Sequence, residues 1–280
     1  MKKIMALLLS TVIVAAGLCA CSGNGTKDNG SGKKETKTSY DNLTVACELT
    51  SEEYGIAFRK GSDLTAKVNE LMDELTTDGT LPKLAEKYNL TLADAKAEEA
   101  GDVTIKDIDY ITKNGKMIIG ITDYEPMNYK DAKGNWTGFD TEFAQSVCEK
   151  LGVEAEFVEI DWDNKFAALD SKAIDCIWNG MTISDEVLRN TSCTKAYVKN
   201  AQVVVLSKDK ASEYKKAADM KDLTFAVESG SAGASAAEEN GFENVVEVAA
   251  QTDALLEVTS GSSDACIIDI TMANAMLGTK

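Results

Sequence analysis

KMIIGITDYEPMNYKDAKGNWTGFD, residues 116–140, decides the fold, because it sets a buried strand, an aromatic rim and a turn in succession. Residues 117–121 form a short apolar run of the kind that fills a parallel sheet covered on both faces. The run leads into Asp123-Tyr124-Glu125-Pro126, where the proline ends the ladder and leaves Tyr124 at the strand's C-terminal mouth. In open α/β sheets small ligands bind at that mouth. Residues 129–136 read as a polar turn around Gly134, after which Gly138-Phe139-Asp140 opens a helix with Asp140 as its expected N-cap. Pattern alone also fits an ordinary strand, loop and helix that hold nothing.

Outward from this stretch, strands are expected at 43–47 and 54–58. Ser62 is expected to cap a helix whose apolar face is Leu64, Val68, Leu71, Met72 and Leu75, ending at Asp78-Gly79. A second short helix follows, with Pro82 in its first turn. On the other side, Phe139, Phe143, Val147 and Leu151 make a helical stripe, 155–159 a strand, and Trp162, Phe166 and Leu169 the start of a helix before the strand at 174–178. The strand at 201–206 leads to a second alternating unit: strands at 223–227, 244–248 and 264–268, with helices at 231–239, 252–260 and 270–277. Two groups of alternating strands and helices predict two α/β lobes.

The chain has 280 residues, enough for two cores, and a formal charge of −17 with no histidine. So acidic a surface repels nucleic acid and anionic lipid, and the absence of histidine removes the commonest general base and metal ligand. Met1-Lys2-Lys3 and the apolar run 4–18 have the form of a secretory signal over residues 1–20. A plain transmembrane anchor is the alternative, but the run is short for a bilayer. Residues 21–39 lack large apolar side chains up to Tyr40 and read as a flexible tether. Beyond Cys19 and Cys21, Cys47, Cys148, Cys176, Cys193 and Cys266 are odd in number and lack CxxC spacing, so they are expected to be mostly core thiols with no zinc site. No cofactor motif is present: Ser229-Gly230-Ser231-Ala232-Gly233 is not GxGxxG and no Walker lysine follows.

Leu18-Cys19-Ala20-Cys21 resembles the lipobox of bacterial lipoproteins, which implies a lipid on Cys21. From Tyr110 to Leu277 the segments GITDYEPMNY, GFDTEFAQSVCEKLG, NGMTIS, AQVVVL, FAVESGSAG and SDACIIDITMANAML resemble, in order and spacing, the extracytoplasmic solute-binding proteins of polar amino acid ABC importers. The resemblance implies an α/β, two-lobed periplasmic-binding-protein-like (type II) fold with a hinge. It also implies an amino acid ligand, an ABC permease as partner and a monomer anchored outside the cytoplasm. One block is out of order, since EEYGIAFRKGSDL and the helices after it resemble the family's C-terminal pieces but stand at residues 40–90. The expectation is a circularly permuted chain: 40–52 and 203–280 in lobe 2, 53–90 and 116–202 in lobe 1, and 91–115 an exposed joining segment. The hinge would then lie in strands near 52–56 and 199–204. A fragment of a longer gene is the competing explanation.

The same resemblance nominates ligand-binding residues position by position. Tyr124 and Trp162 would pack on the ligand, Asn179, Gly180 and Thr182 would meet it at a strand end, and Ser231 would offer its carboxylate a helix N-terminus. Asp269 would pair with its ammonium, or cap the helix that follows, or both. The family's carboxylate-clamping arginine is replaced here by Val187, which leaves Arg189 to reach back, backbone N–H groups to take over, or a different ligand. Capture for transport is the leading function. A dehydratase-like enzyme on the same fold and a ligand-sensing module are the alternatives, the first weakened by the lack of any nucleophile–base pair.

Overall fold

The computed structural model describes residues 39–95 and 102–278. The signal segment, Cys21 and most of the tether lie outside the described residues. The chain opens with β1 (Leu43–Arg59), then α1 (Leu64–Thr77), α2 (Thr80–Lys87) and α3 (Asp107–Asn114). The deciding stretch follows as β2 (Lys116–Ile121), β3 (Tyr129–Lys130), β4 (Trp136–Thr137) and the start of α4 (Phe139–Leu151). Next come β5 (Glu154–Glu159), α5 (Lys165–Asp170), β6 (Cys176–Thr182), α6 (Asp185–Asn190), β7 (Thr191–Cys193) and β8 (Val198–Ser207). The last unit is β9 (Phe225–Glu228), α7 (Ala232–Glu239), β10 (Val245–Val248), α8 (Gln251–Ser260), β11 (Ala265–Asp269) and α9 (Ile270–Leu277).

Nine strands join in one mixed sheet in the order β10-β9-β11-β8-β1-β6-β2-β5, with β7 paired to β1, while β3 and β4 pair only with each other. Two parallel groups, β10-β9-β11 and β6-β2-β5, flank an antiparallel centre made of β8 and β1. The two strands expected at 43–47 and 54–58 are thus one strand of 17 residues. Its first part pairs with β8 and its last part with β6 and β7, and Tyr54 stands at the handover, opposite both Val198 and Thr182. Pattern could not join them, because the largely polar run from Glu48 to Glu53 has no apolar alternation, and only its pairing with β8 shows it to be strand.

Apolar faces fix the helices. The five predicted α1 residues are all buried, as are Phe139, Phe143 and Val147 of α4, whose rings pack on Tyr197 and Trp178. Under the other half of the sheet, Val204, Phe225, Val227, Ala236 and Ile267 form a second core, where Phe225 stacks on Phe242 at 4.1 Å. The five cysteines at 47, 148, 176, 193 and 266 are free thiols, three of them buried.

Two local expectations are corrected. Asp140 is not the N-cap of α4; Gly138 holds that position, and Asp140 turns inward, where its Oδ2 accepts from Gly180 N at 2.6 Å and Tyr197 Oη at 2.9 Å. Likewise Asp63, not Ser62, takes the N-cap position of α1, although Ser62 Oγ accepts from Leu64 N. The joining segment is also more than an exposed connector. Residues 91–93 bond to β8, since Lys199 N donates to Thr91 O and Ala93 N to Tyr197 O, and residues 104–105 bond to Gly61 O. Asp107, at the start of α3, is fully buried against Arg59, whose Nη2 also reaches Asp175 at 3.0 Å.

Candidate functional site

Strand ends from both halves of the sheet converge on a cavity of about 220 Å³. Tyr124 follows β2, Asn179, Gly180 and Thr182 end β6, Ser231 follows β9 and Asp269 ends β11, so the mouths of both parallel groups face the same space. Trp162 closes one side from the 3-10 turn before α5. All seven nominated ligand-binding residues therefore line one cavity. Arg189 does not: it is exposed in the last turn of α6 and is not among the lining residues, whereas the buried Val187 is. The helix turns Val187 inward, and a residue two positions on cannot share its face.

Several nominated side chains are occupied by the protein itself. Asn179 spends its amide on Thr122, accepting from its N at 3.0 Å and Oγ1 at 2.7 Å and donating to its carbonyl at 3.1 Å, so it ties β6 to the end of β2. Tyr124, Tyr54 and Thr271 form a buried hydroxyl chain with contacts of 2.5 to 3.1 Å, and Tyr54 Oη donates to Asp269 Oδ1 at 2.7 Å. Asp269 holds the N-cap position of α9, but its side chain makes no capping bond. Its Oδ1 also accepts from Asn200 and Gln202 and its Oδ2 from Gln251, which leaves an acceptor direction on Oδ2. Burial and the nearby Glu52 carboxylate push its pKa up to about 7.

Gly180 and Gly230 are required where they stand. Gly180 has φ of +55°, and a Cβ there would meet the Tyr124 ring at 2.7 Å and the Tyr54 ring at 3.1 Å. Gly230, at φ +66°, lies against Asp163, whose Cα would be 2.9 Å from an added Cβ, so the two sides of the cavity touch at a glycine. Ser231 N-caps α7, its Oγ accepting from Ala234 N at 3.2 Å, and the positive end of that helix points to the cavity rim.

Sequence reasoning missed the groups that set the cavity's charge. Lys165, on α5, is 5% exposed and sends its Nζ to Trp162 O at 3.2 Å and Gly230 O at 2.9 Å, bridging the two halves. Burial lowers its pKa, against the pull of Glu186, Asp163 and Glu228. Glu52, on β1, accepts from Thr182 Oγ1 at 2.8 Å and Gln202 Nε2 at 2.8 Å through Oε1. Glu228, the last residue of β9, is 4% exposed and its Oε1 has no hydrogen-bond partner. Burial, then repulsion from Asp269, pushes its pKa up to about 8. The strand-mouth rule that found Asp269 would have found Glu228; nothing local marks Glu52 or Lys165.

The arrangement can hold a small polar solute between donors, acceptors and an aromatic wall. Comparison with known proteins agrees. The L-cystine-binding protein TcyJ of Escherichia coli K12 is 34% identical over 112 residues, 40% of this chain and 42% of its own. The arginine-binding extracellular protein ArtP of Bacillus subtilis is 32% identical over 162 residues, 55% of this chain and 61% of its own. The chain thus spans less than two thirds of the length of either relative. The structure of holo ArgBP from T. maritima superposes with a TM-score of 0.58 at 32% identity, covering 61% of this chain and 76% of that one. The model of the bacterial extracellular solute-binding proteins, family 3, matches residues 117–273, more than half of the sequence, and the chain belongs to that family.

Proposed function

We propose that this protein captures an amino acid or a closely related small polar solute outside the cytoplasm and hands it to an ABC importer in the membrane. The observation that carries the reading is the single cavity of about 220 Å³ into which Tyr124, Trp162, Thr182, Ser231 and Asp269 all converge, large enough for one small solute. Relatives that bind cystine and arginine support an amino acid. In this reading the ligand's ammonium meets Asp269 Oδ2, and its carboxylate meets Lys165 and the N-terminus of α7. Lys165 then supplies the positive charge that Val187 cannot and that Arg189, outside the cavity, does not. A lipid on Cys21 holds the protein at the membrane, an assignment supported by the leader and by Leu18-Cys19-Ala20-Cys21. The chain is also circularly permuted in this reading: the family match begins at residue 117, while residues 40–90 supply the central strand β1 and helices α1 and α2.

Native mass spectrometry of the freshly purified full-length protein tests the function. A bound amino acid, recovered unchanged on denaturation, is the expected result. A chemically altered product would mean catalysis, and the absence both of a bound solute and of any calorimetric response to amino acids would end the reading. For the anchor, a Cys21→Ser variant should appear in the medium, and its retention in membranes would speak against lipidation.

A further inference from the structure

Glu228 is the one carboxylate of the cavity with a buried oxygen left without a partner among the described residues lining it. It stands at the end of β9, 4% exposed, so water cannot solvate it as it does a surface acid. Ionising a buried acid whose oxygen has no partner is costly, so without a bound cation Glu228 stays largely protonated at neutral pH. A cation seated on that oxygen removes the cost, and the proton leaves to solvent. Lys165 forms no bond to it: its Nζ donates to the carbonyls of Trp162 and Gly230, which leaves one N–H for the ligand's carboxylate. The rest of the lining points the same way: Glu52, Glu186, Glu228, Glu239 and Asp269 face Lys165 as the sole cation. Such an excess of acids over cations favours solutes of positive charge and disfavours neutral ones.

Resting on the amino acid reading above, we propose that Glu228 is the specificity-determining residue and that the solute carries net positive charge, with a side-chain ammonium or guanidinium seated on Glu228. An uncharged amide could donate a hydrogen bond to the same oxygen but would not neutralise the charge, so charge and shape can be separated with isosteres. L-Arginine and L-citrulline have nearly the same outline and differ by the charge at the tip.

The test is calorimetric titration of the full-length chain with L-arginine, L-citrulline, L-glutamine, L-cystine and agmatine, the decarboxylated counterpart of arginine. Arginine is expected to bind at least tenfold more tightly than citrulline. In Glu228→Gln that ratio should fall to about threefold or less, through loss of arginine affinity and not through a change toward citrulline. Should Glu228→Gln fail to fold, the wild-type ratio and the shorter Glu228→Asp, which keeps the charge and the preference, still decide. Citrulline, glutamine or cystine binding as tightly as arginine would overturn the proposal while leaving an amino acid receptor intact. Binding of agmatine with no amino acid bound would uphold the charge selection and remove the amino acid reading instead. No response to any of the five would remove both.

Discussion

Arg59 shows how much can rest on one side chain that sequence assigns no role. Its guanidinium, buried at the end of β1, bonds Asp107 at 2.8 Å and Asp175 at 3.0 Å and donates to Ile174 O at 2.8 Å. Asp175 in turn accepts from Ile118 N at 2.9 Å, so one cation fastens the start of β6 and α3 to the end of β1, with β2 held through Asp175. Replacing it with an apolar residue leaves two buried carboxylates facing each other. Arg59→Met should lower stability by about 3–5 kcal/mol, the range for breaking one side of a buried ion pair. Urea unfolding measures this, and a loss under about 1 kcal/mol would show that the triad is not structural. At the same scale, Val187 and Lys165 reverse what spacing suggested: the cavity's positive charge comes from a different element than the one where an arginine was sought.

At the scale of the element, β1 is the piece that binds both halves of the sheet, because its two edges are paired to different partners along its length. Ile56 lies just past the handover, fully buried, and exchanges bonds of 2.9 Å with Thr194. Ile56→Ala removes about 2–5 kcal/mol through lost burial and the cavity left behind. If β1 couples the halves, Trp fluorescence, which reports on Trp136, Trp162 and Trp178 only, and far-UV ellipticity, which reports on all elements, should be lost at one denaturant concentration. Two resolved transitions would mean that β1 does not couple them. The helices were legible from their apolar stripes, yet Asp140, expected as a cap, lies inside α4, and Asp269, at the N-cap position of α9, spends its side chain on the interior. An acid at a helix start satisfies the capping pattern whichever way its side chain points.

For the whole molecule, the buried acids set a pH dependence. The pKa of Glu228 is raised from 4.5 to about 8, and those of Asp140 and Asp269 from 3.8 to about 7, burial being the first cause of each. Between those values the folded chain holds protons that the unfolded chain has released, so stability falls as pH rises. Glu142 and Asp264, held below the usual carboxylate range chiefly by Lys87 and Lys210 against desolvation, complete their opposite contribution below that window. The ligand-free protein should therefore melt at a lower temperature at pH 8 than at pH 5.5, and a flat or rising Tm over that range would contradict the placement of these acids. The proposed permutation is tested by moving residues 40–90 behind residue 280. The expected protein keeps the same ligand with affinity within about threefold. Deleting those residues instead strips the partner from β8 and β6 and should give insoluble protein. A folded, ligand-binding deletion product would overturn the permutation.

Alternating apolar runs and amphipathic stripes sufficed for the α/β class and for most of the longer strands and helices, because these are local patterns, while Tyr124, Trp162, Thr182, Ser231 and Asp269 were nominated by the resemblance to a known family. What the tertiary structure alone decided is non-local. Glu52 and Glu228, 176 positions apart on β1 and β9, become neighbours of one cavity only when the sheet is assembled. The direction of Lys165, the exclusion of Arg189 and the unity of β1 depend likewise on what packs against them. Charge and hydrogen-bond balance in a buried site are sums over residues distant in sequence, and a sequence lists those residues without saying which of them meet.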